Sequence, residues 1–362
     1  MSGTNAATPS QPQRLSRDFW TFWSGQAISN LGSSFTLLAL PLLVYKLTGS
    51  AVNLALSSAA EFLPYLLFGL IIGAWVDRTD RKRLMIRANC VQALVIASIP
   101  ILAAFGHLGV WWIYVMGFIG STLGICFSSA EFAAIPSLVS SDDLVTANGR
   151  IQASYQAVSI VGPLLAGLLA AVMPIERVLY VDAASFLVSA GALLLIRTSF
   201  NAVERRAPTS LRRDIGEGLR YVLGHPVLRN ISLMMAMVNF VGATVGAQLV
   251  FFAKQHLSAG NAQVGLFYSA GSAGVILLSL AAGPLRKRYP FSKVALSALM
   301  ADGLFTIALA IVAWYPADLA FWALAQGFGI LFNINTGSLR QAIVPNHMLG
   351  RVMSIAGVLA WS

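Results

Sequence analysis

Three carboxyl side chains lie inside long apolar runs of this sequence: Glu61, Asp182 and Asp302. An ionised side chain at the centre of a bilayer costs roughly 2.5–3.5 kcal/mol on insertion scales, so acids in such runs are functional candidates. An apolar environment favours the neutral acid, which suits a group that takes up a proton on one side of a membrane and releases it on the other. We predict proton carriers in the order Glu61, Asp302, Asp182. The alternative is an acid that serves structure through hydrogen bonds at the interface or within a helix.

Amide side chains in the apolar runs could contact a substrate. Gln26 and Asn30 are one helical turn apart, so they share a helix face. Three further amides complete the predicted set: Asn239, Gln326 and Asn333. A cavity lined by amides and aromatic side chains would bind bulky amphipathic compounds, whereas hydrogen bonds between helices are the equally open alternative. Cys90 and Cys126 are not spaced for metal binding, so we predict free thiols and no metal.

The composition indicates the elements that must position these residues. Hydrophobic residues make up 57% of the 362-residue chain and charged residues 10%, whereas a soluble chain carries about a quarter charged residues. The mean hydropathy is +0.73. A membrane span needs roughly 20 mostly apolar residues. We predict an all-α membrane protein with ten complete spans and a partial eleventh that begins near residue 348. The ten spans lie at about 19–46, 51–76, 84–106, 109–132, 150–173, 178–196, 227–253, 262–283, 293–314 and 317–338.

The positive charges predict how these spans are oriented. If successive spans cross the membrane in opposite directions, the 24 Lys and Arg residues lie on the same side of the membrane as the N-terminus, with three exceptions. These are Lys46, Arg177 and Lys254. Because positive residues stay in the cytoplasm, the N-terminus is predicted to be cytoplasmic. The net charge of +10 would suggest nucleic acid in a soluble protein, but here it lies in loops, so we predict a lipid bilayer as partner and no nucleic acid. The predicted segments are a tail (1–18), a six-helix bundle (19–197), a basic cytoplasmic linker with an amphipathic helix (198–226) and a second bundle (227–362).

The two halves of the chain repeat each other. Ala134-Ile135-Pro136 precedes Gly149-Arg150, and Ala342-Ile343-Val344-Pro345 precedes Gly350-Arg351. Gly73 with the basic run 81–83 is matched by Gly283 with the basic run 286–288. Such a parallel repeat is typical of one large class of transporters, and it predicts two pseudo-symmetric bundles. The second bundle is shorter by roughly one and a half spans. We therefore expect this chain to be an incomplete twelve-helix protein that transports poorly by itself.

The loop after the second span carries a motif formed by Gly73, Asp77, Arg78, Arg81, Lys82 and Arg83. It resembles the loop 2–3 signature of the major facilitator superfamily, Gly-x-x-x-Asp-Arg-x-Gly-Arg-basic-basic, with Asp80 in place of the second Gly. The resemblance implies a gate latch. Asp77 would lie at a helix N-terminus of the other half, in the partial eleventh helix, where an anion is favoured. An arginine of the motif would pair with an acid of the fourth helix, for which Glu131 is the natural candidate. The alternative is a basic loop that only orients the chain.

A second motif lies in the fifth span. Gly162-Pro163-Leu164-Leu165-Ala166-Gly167 resembles the antiporter signature of the superfamily, Gly-Pro-x-x-Gly-Gly, which marks exporters more than importers. An ordinary kinked packing helix is the alternative. The segments 14–26 and 218–229 resemble the branch that contains macrolide efflux pumps and the enterobactin exporter. The resemblance extends over nearly the whole chain from Arg17, and it implies the fold of this superfamily.

The resemblance also implies a function. We expect a monomeric secondary active transporter of a bacterial cell membrane, driven by the proton gradient without a cofactor. It would export a small amphipathic compound (a drug, a macrolide or a siderophore) by alternating access. An importer or facilitator of a metabolite, or a non-transporting sensor or scaffold, remains the alternative. The sequence contains no His-Glu-x-x-His, Gly-x-Ser-x-Gly or Gly-x-x-x-x-Gly-Lys motif, so we predict neither an enzyme nor an ATP-driven pump.

Overall fold

The computed structural model describes residues 15–201, 211–258, 261–312 and 314–361, and within these ranges it is helical with no strand. Two short 3₁₀ turns, Ser141–Asp143 and Asn346–Met348, precede the fifth and twelfth helices. The twelve α-helices are α1 (Arg17–Thr48), α2 (Ala51–Val76), α3 (Arg81–Ala104), α4 (Val110–Leu138), α5 (Leu144–Val172), α6 (Ile175–Leu195), α7 (Leu211–Gly224), α8 (Pro226–Gln255), α9 (Asn261–Arg288), α10 (Phe291–Val312), α11 (Tyr315–Ile343) and α12 (Leu349–Trp361).

Polar caps set the starts of the first three helices. Ser16 Oγ accepts the backbone N–H of Phe19, so α1 begins at Arg17, slightly before the predicted end of the tail at residue 18. Residues 1–14 lie outside the described part of the chain. Asp80 caps α3, where its side chain accepts the N–H of Arg83 at 3.0 Å. Because Asp is a strong N-cap residue and Gly a weaker one, the departure from the superfamily signature at Asp80 has a local structural cause.

Helices α1 to α6 form the first bundle. α1 packs against α6 and α5, α3 packs against α6 and α4, and α2 packs against α4. Phe19, Phe22 and Met85 are fully buried in one core cluster of this bundle. Large apolar side chains cover its outside, among them Leu66 and Leu94, which are 85% and 71% exposed. Such a surface is suited to lipid rather than to water.

Helices α8 to α12 form the second bundle, in which α11 packs against both α9 and α10. Across the described ranges, nine helices are long and apolar enough to cross a membrane. In α8, the described apolar stretch is the shorter Pro226–Gly242, although the whole helix has 30 residues. The multi-pass, all-α architecture is confirmed. Helix bounds differ locally from the prediction; α5, for example, begins at Leu144 rather than at about 150.

The predicted amphipathic linker helix is α7, and residues 202–210 before it lie outside the described part. Gly218 and Val222 of α7 are buried, whereas Arg220 and Leu223 are exposed. Val222 joins an apolar cluster with Leu228 of α8, Leu349 and Val352 of α12, and Ala133 of α4. α7 thus packs beneath the end of the molecule that contains the N-terminus of α1, the α2–α3 loop and the N-terminus of α12. We name this the basic end.

Candidate functional site

Asp77, which follows α2, lies at the N-terminus of α12. Its Oδ1 accepts the backbone N–H of Gly350 at 2.8 Å, and its Oδ2 accepts that of Arg351 at 3.0 Å. The Asp77 side chain is 0% exposed. The first N–H groups of a helix have no partner within the helix and carry a partial positive charge, so they bind an anion well. The carboxylate therefore joins the two bundles, at the helix where the sequence analysis expected it.

Two guanidinium groups flank this carboxylate. Arg81 Nη2 lies 3.2 Å from Asp77 Oδ1, and Arg351 Nε lies 3.6 Å from Oδ2. Burial raises the pKa of Asp77 to about 6, while the Arg351 and Gly350 amides and the two guanidinium groups lower it. Asp77 is consequently ionised at neutral pH. We name Asp77, Arg81, Gly350 and Arg351 the latch.

Arg81 links the latch to several other chain segments. It donates hydrogen bonds to the carbonyl oxygens of Ala133 at 3.1 Å, Phe200 at 3.2 Å and Asn346 at 2.5 Å, and to the side-chain oxygen of Asn346. Its guanidinium group is 3% exposed. One buried cation thus connects α4, the segment after α6 and the turn before α12. Arg is suited to this role because its planar group offers five donors in a rigid arrangement.

The remaining motif residues have simpler surroundings. Lys82 donates to the carbonyl oxygen of Ile196, which closes α6. Arg83 pairs with Asp80 at 3.4 Å on the surface, where such a pair contributes little. Arg78 lies in the turn between α2 and α3.

Gly73 lets α2 approach α12 closely. A Cβ atom on Gly73 would lie 2.5 Å from the carbonyl oxygen of Gly350, and one on Gly350 would lie 2.6 Å from the carbonyl oxygen of Gly73. Carbon and oxygen atoms that are not bonded do not approach so closely, so any side chain here would push the helices apart. We name this contact the first crossing.

An equivalent contact joins α5 and α9. A Cβ atom on Gly149 would lie 2.2 Å from the carbonyl oxygen of Ser279, and one on Gly283 would lie 2.2 Å from Thr146 Oγ1. Beside it, Lys287 Nζ lies 2.9 Å from Asp143 Oδ1 at the start of α5. We name this contact the second crossing. Each of the four recurring glycines therefore lies against a helix of the other bundle: Gly73 and Gly350 meet each other, Gly149 meets Ser279, and Gly283 meets Thr146.

Further hydrogen bonds cross between the bundles near the basic end. Asn148 donates to Ser338 at 3.0 Å and to Gln341 at 2.6 Å. Gln341 in turn donates to the carbonyl oxygen of Phe132 at 2.9 Å. Gln156 donates to Ser272 at 2.7 Å. Together with the two crossings, these bonds close the basic end.

The linker helix also contacts the latch. Arg351 Nη1 donates to Glu217 Oε2 of α7 at 3.2 Å. A Cβ atom on Gly218 would lie 3.2 Å from the Cβ of Arg351. α7 therefore packs directly against Arg351 in the first turn of α12.

Glu131 does not pair with an arginine of the motif, which corrects the predicted gate partner. Its Oε2 accepts the hydroxyl of Tyr155 on α5 at 3.1 Å. Arg81 instead reaches the carbonyl oxygen of Ala133, further along α4, and the residues around Asn346. The reason is geometric: Glu131 is on the side of α4 that faces α5, whereas Arg81 approaches the end of α4 from α3.

The three predicted proton carriers lie in three separate places. Asp182 is 1% exposed between α6 and α1, where it accepts hydrogen bonds from Ser33, Thr36 and Ser185. Glu61 lies beside Gly117 of α4, and Asp302 lies beside Gly329 of α11. Their role in proton transfer stays a prediction. The hydroxyl contacts of Asp182 are equally suited to holding α1 against α6.

The predicted substrate amides are distributed over both bundles. Gln26 is buried and Asn30 is half-buried on α1, where Asn30 is hydrogen-bonded to Tyr155. Gln326 packs beside Gly271 of α9. Asn239 and Asn333 are half-buried in α8 and α11. Their contact with a substrate stays a prediction.

The fifth-span motif brings α5 close to α1. A Cβ atom on Gly162 would lie 2.0 Å from Ser34 Oγ, whereas one on Gly167 would meet nothing within 4 Å. Gly162 is therefore required for packing, and Gly167 is not. Pro163 lies within α5, and its side chain is outside the described part.

Sequence reasoning missed several contact residues of the basic end. Tyr155, Gln156 and Gln341 belong to no motif that could indicate their partners. Asp143 could have been found, because a run of Ser and Asp before an apolar segment is a helix-start signal. Cys90 and Cys126 are free, as predicted. In the described part of the chain, no group of three or more His, Cys, Asp or Glu residues could hold a metal ion.

Two efflux proteins are similar in sequence to most of this chain. Macrolide efflux protein A of Streptococcus pyogenes is 26% identical over 348 residues, which are 94% of this chain and 84% of that protein. Multidrug efflux pump Tap of Mycolicibacterium fortuitum is 26% identical over 343 residues, which are 91% of this chain and 82% of that protein.

Solved structures share the fold. A bacterial homologue of the iron transporter ferroportin, in its outward-facing state, aligns with a TM-score of 0.76 at 16% identity, over 95% of this chain and 89% of that one. The human organic anion transporter MFSD10 (TETRAN) aligns with a TM-score of 0.73 at 16% identity, over 97% and 91%. The sequence profile of the family MFS_3, described as transmembrane secretion effector, matches residues 8–361. The chain therefore belongs to the transmembrane secretion effector family of major facilitator superfamily transporters.

Proposed function

We propose that this protein is an exporter of small amphipathic compounds that works by alternating access and is driven by the proton gradient. The latch carries the proposal, because a buried carboxylate that binds the first amides of a helix in the other bundle is a contact that can be made and broken as a unit. The names of the related efflux proteins favour export over import, and macrolides are the first substrates to test.

The proposed setting is a bacterial plasma membrane with the basic end in the cytoplasm. Support comes from the distribution of Lys and Arg in the sequence, because alternating spans assign all of them except Lys46, Arg177 and Lys254 to the side of the N-terminus. In that orientation the closed basic end corresponds to an outward-facing arrangement. We further propose that the protein acts as a monomer, uses no cofactor, binds no nucleic acid and catalyses no covalent reaction. The division into a cytoplasmic tail, two bundles and a basic linker belongs to the same proposal.

Efflux measurements test the proposal. The gene is expressed in a bacterial strain that lacks its own efflux pumps, and accumulation of a radiolabelled macrolide is followed with and without a protonophore. We expect lower accumulation than in the empty-vector strain, and we expect the protonophore to abolish the difference. The variant Asp77→Asn should accumulate more macrolide than the wild type, whereas Asp80→Asn, whose side chain lies outside the latch, should match the wild type.

The alternatives predict other results. An importer or facilitator would raise accumulation above the vector control for its own substrate. A sensor or scaffold would leave accumulation unchanged across macrolides, tetracyclines, lipophilic dyes and siderophores. Either result would overturn export.

A further inference from the structure

Glu131 is a buried carboxyl group with an unused oxygen. The residue is 6% exposed. Tyr155 donates its hydroxyl to Oε2 at 3.1 Å, while Oε1 has no hydrogen-bond partner. Tyr155 is also hydrogen-bonded to Asn30. α1, α4 and α5 thus meet at one acid. A buried carboxylate is costly unless it is paired, so a free oxygen indicates a bound proton or a bound cation.

No charged side chain is hydrogen-bonded to Glu131 in the described part of the chain. Four basic groups on the packed helices have other partners. Arg81 contacts Asp77 and backbone carbonyls, and Arg351 contacts Asp77 and Glu217. Arg150 of α5 lies over the Trp20 ring, and Arg340 lies 3.5 Å from Ser232. The two acidic residues in or next to α2 contact other groups. Asp77 belongs to the latch, and Glu61 lies beside Gly117 of α4. Tyr155 is the titratable group that contacts Glu131 from α5, and Asn30 of α1 is hydrogen-bonded to Tyr155.

The Glu131–Tyr155 bond is adjacent to contacts that close the basic end. Phe132, the residue after Glu131, accepts a hydrogen bond from Gln341 of the second bundle at 2.9 Å. Ala133, the next residue, accepts the latch residue Arg81 at 3.1 Å. Gln156, the residue after Tyr155, donates to Ser272 of the second bundle at 2.7 Å. A change at the Glu131–Tyr155 hydrogen bond therefore acts on α4 and α5 beside the residues through which these helices contact the second bundle.

We propose that Glu131 is the proton-coupling carboxyl group of this protein, and that Tyr155 and Asn30 are its positioning residues. The inference rests on the proposed function, because it names the group through which the proton gradient drives export. Glu131 holds its proton while the basic end is closed. When this end opens, water hydrates the carboxylate and the proton passes from the carboxyl group to that water; the reverse transfer restores the acid. No other bond forms or breaks.

The test measures opening of the basic end without any substrate. Arg87 on α3 and Lys293 on α10 are exposed near the basic end, one in each bundle. Spin labels at Arg87→Cys and Lys293→Cys, in a Cys90→Ser, Cys126→Ala background, form the gate pair, whose distance distribution is recorded across pH in reconstituted full-length protein. The measurement runs from neutral to alkaline pH, where Asp77 is ionised and the latch is intact. In the wild type we expect the longer distances to grow as pH rises through this range, because deprotonation of Glu131 favours the open end. In Glu131→Gln we expect only the short distances across this range.

Two further variants keep the test decisive. Glu176→Gln is the matched control, because Glu176 pairs with the exposed Lys46 and does not contact the latch or Glu131, and it should open with pH like the wild type. Tyr155→Phe keeps the ring and removes one hydrogen bond to Glu131, so it should shift the midpoint of opening along the pH axis, which a purely structural residue would not do. If Glu131→Gln does not fold, the Tyr155→Phe midpoint decides, and an unchanged midpoint there overturns the proposal.

Transport assays separate the two proposals. Glu131→Gln should lose proton-driven macrolide efflux, and because its basic end stays closed, it should also lose exchange of macrolide across vesicle membranes. Efflux by Glu131→Gln that remains proton-driven, or a wild-type pH response of its gate pair, would overturn the role of Glu131 and leave the exporter function standing. A wild type that moves no substrate but opens with pH would overturn the exporter function alone.

Discussion

The two crossings have the same backbone contact and different charges. In the first crossing, Gly73 of α2 meets Gly350 of α12; in the second, Gly149 of α5 meets Ser279 of α9. The first crossing buries a carboxylate that is 0% exposed between two guanidinium groups and two amides. At the second, Lys287 is 48% exposed beside Asp143.

This difference separates close packing from electrostatic control. Glycine allows both pairs of helices to pack closely, so the two crossings share the same steric fit. A buried ion contact changes greatly in energy when it is broken, whereas a pair with an exposed cation exchanges its partner for water at little cost. We therefore expect the ion contacts of the first crossing to decide whether the basic end is open. We expect the second crossing to stabilise the closed end mainly through close packing.

The largest effect should come from Asp77→Asn. This variant leaves Arg81 buried without its anion and Arg351 with only Glu217 of α7, and breaking a buried pair in this way costs about 3–5 kcal/mol. The gate pair should shift to longer distances at neutral pH. Asp80→Asn is the control, because Asn also caps helices well. A short gate-pair distance in Asp77→Asn would show that the latch does not hold the basic end closed.

A smaller effect should come from a methyl group at either crossing. Gly149→Ala places a Cβ atom against the carbonyl oxygen of Ser279, and Gly73→Ala places one against that of Gly350. Overpacking of this kind costs about 1–3 kcal/mol, so both variants should open the gate pair to a similar extent. Gly167→Ala meets open space and should leave the distances unchanged. Unequal effects of the two crossing variants would show that the crossings differ in fit as well as in charge.

The smallest effect should come from Lys287→Gln. Its ion pair with Asp143 is solvent-accessible on the lysine side, and such pairs contribute up to about 1 kcal/mol. We expect a slight lengthening of the gate-pair distances that disappears at high salt, because salt screens exposed charges. An effect as large as that of Asp77→Asn would remove the distinction between the crossings.

The repeated segments illustrate what could be predicted and what could not. Gly73, Gly149, Gly283 and Gly350 stand out in the sequence because they recur beside similar residues. Recurrence indicates equivalent positions in two bundles, but it does not state which surfaces meet. The structure pairs each glycine with a segment of the other half, because the bundles face each other.

Glu131 shows the limit of a motif. The resemblance to the superfamily signature implied an arginine partner for an acid on the fourth helix, and Glu131 is the acid at that place. Its partner is Tyr155, since the face of α4 that carries Glu131 turns towards α5. No pattern in the sequence indicates that rotation, because an almost wholly apolar helix has no polar face from which its orientation could be inferred.

The sequence by itself determined that the chain crosses a membrane many times and that it is built as a repeat. The helix N-terminus that Asp77 meets was implied by the resemblance of the loop motif to the superfamily signature. These features depend on local quantities: the length of apolar runs, the positions of charges and the recurrence of motifs. Only the tertiary structure decided which polar groups are partners in the closed basic end. Hydrogen bonds and ion pairs act over a few ångströms, so their partners depend on how whole helices are rotated and packed.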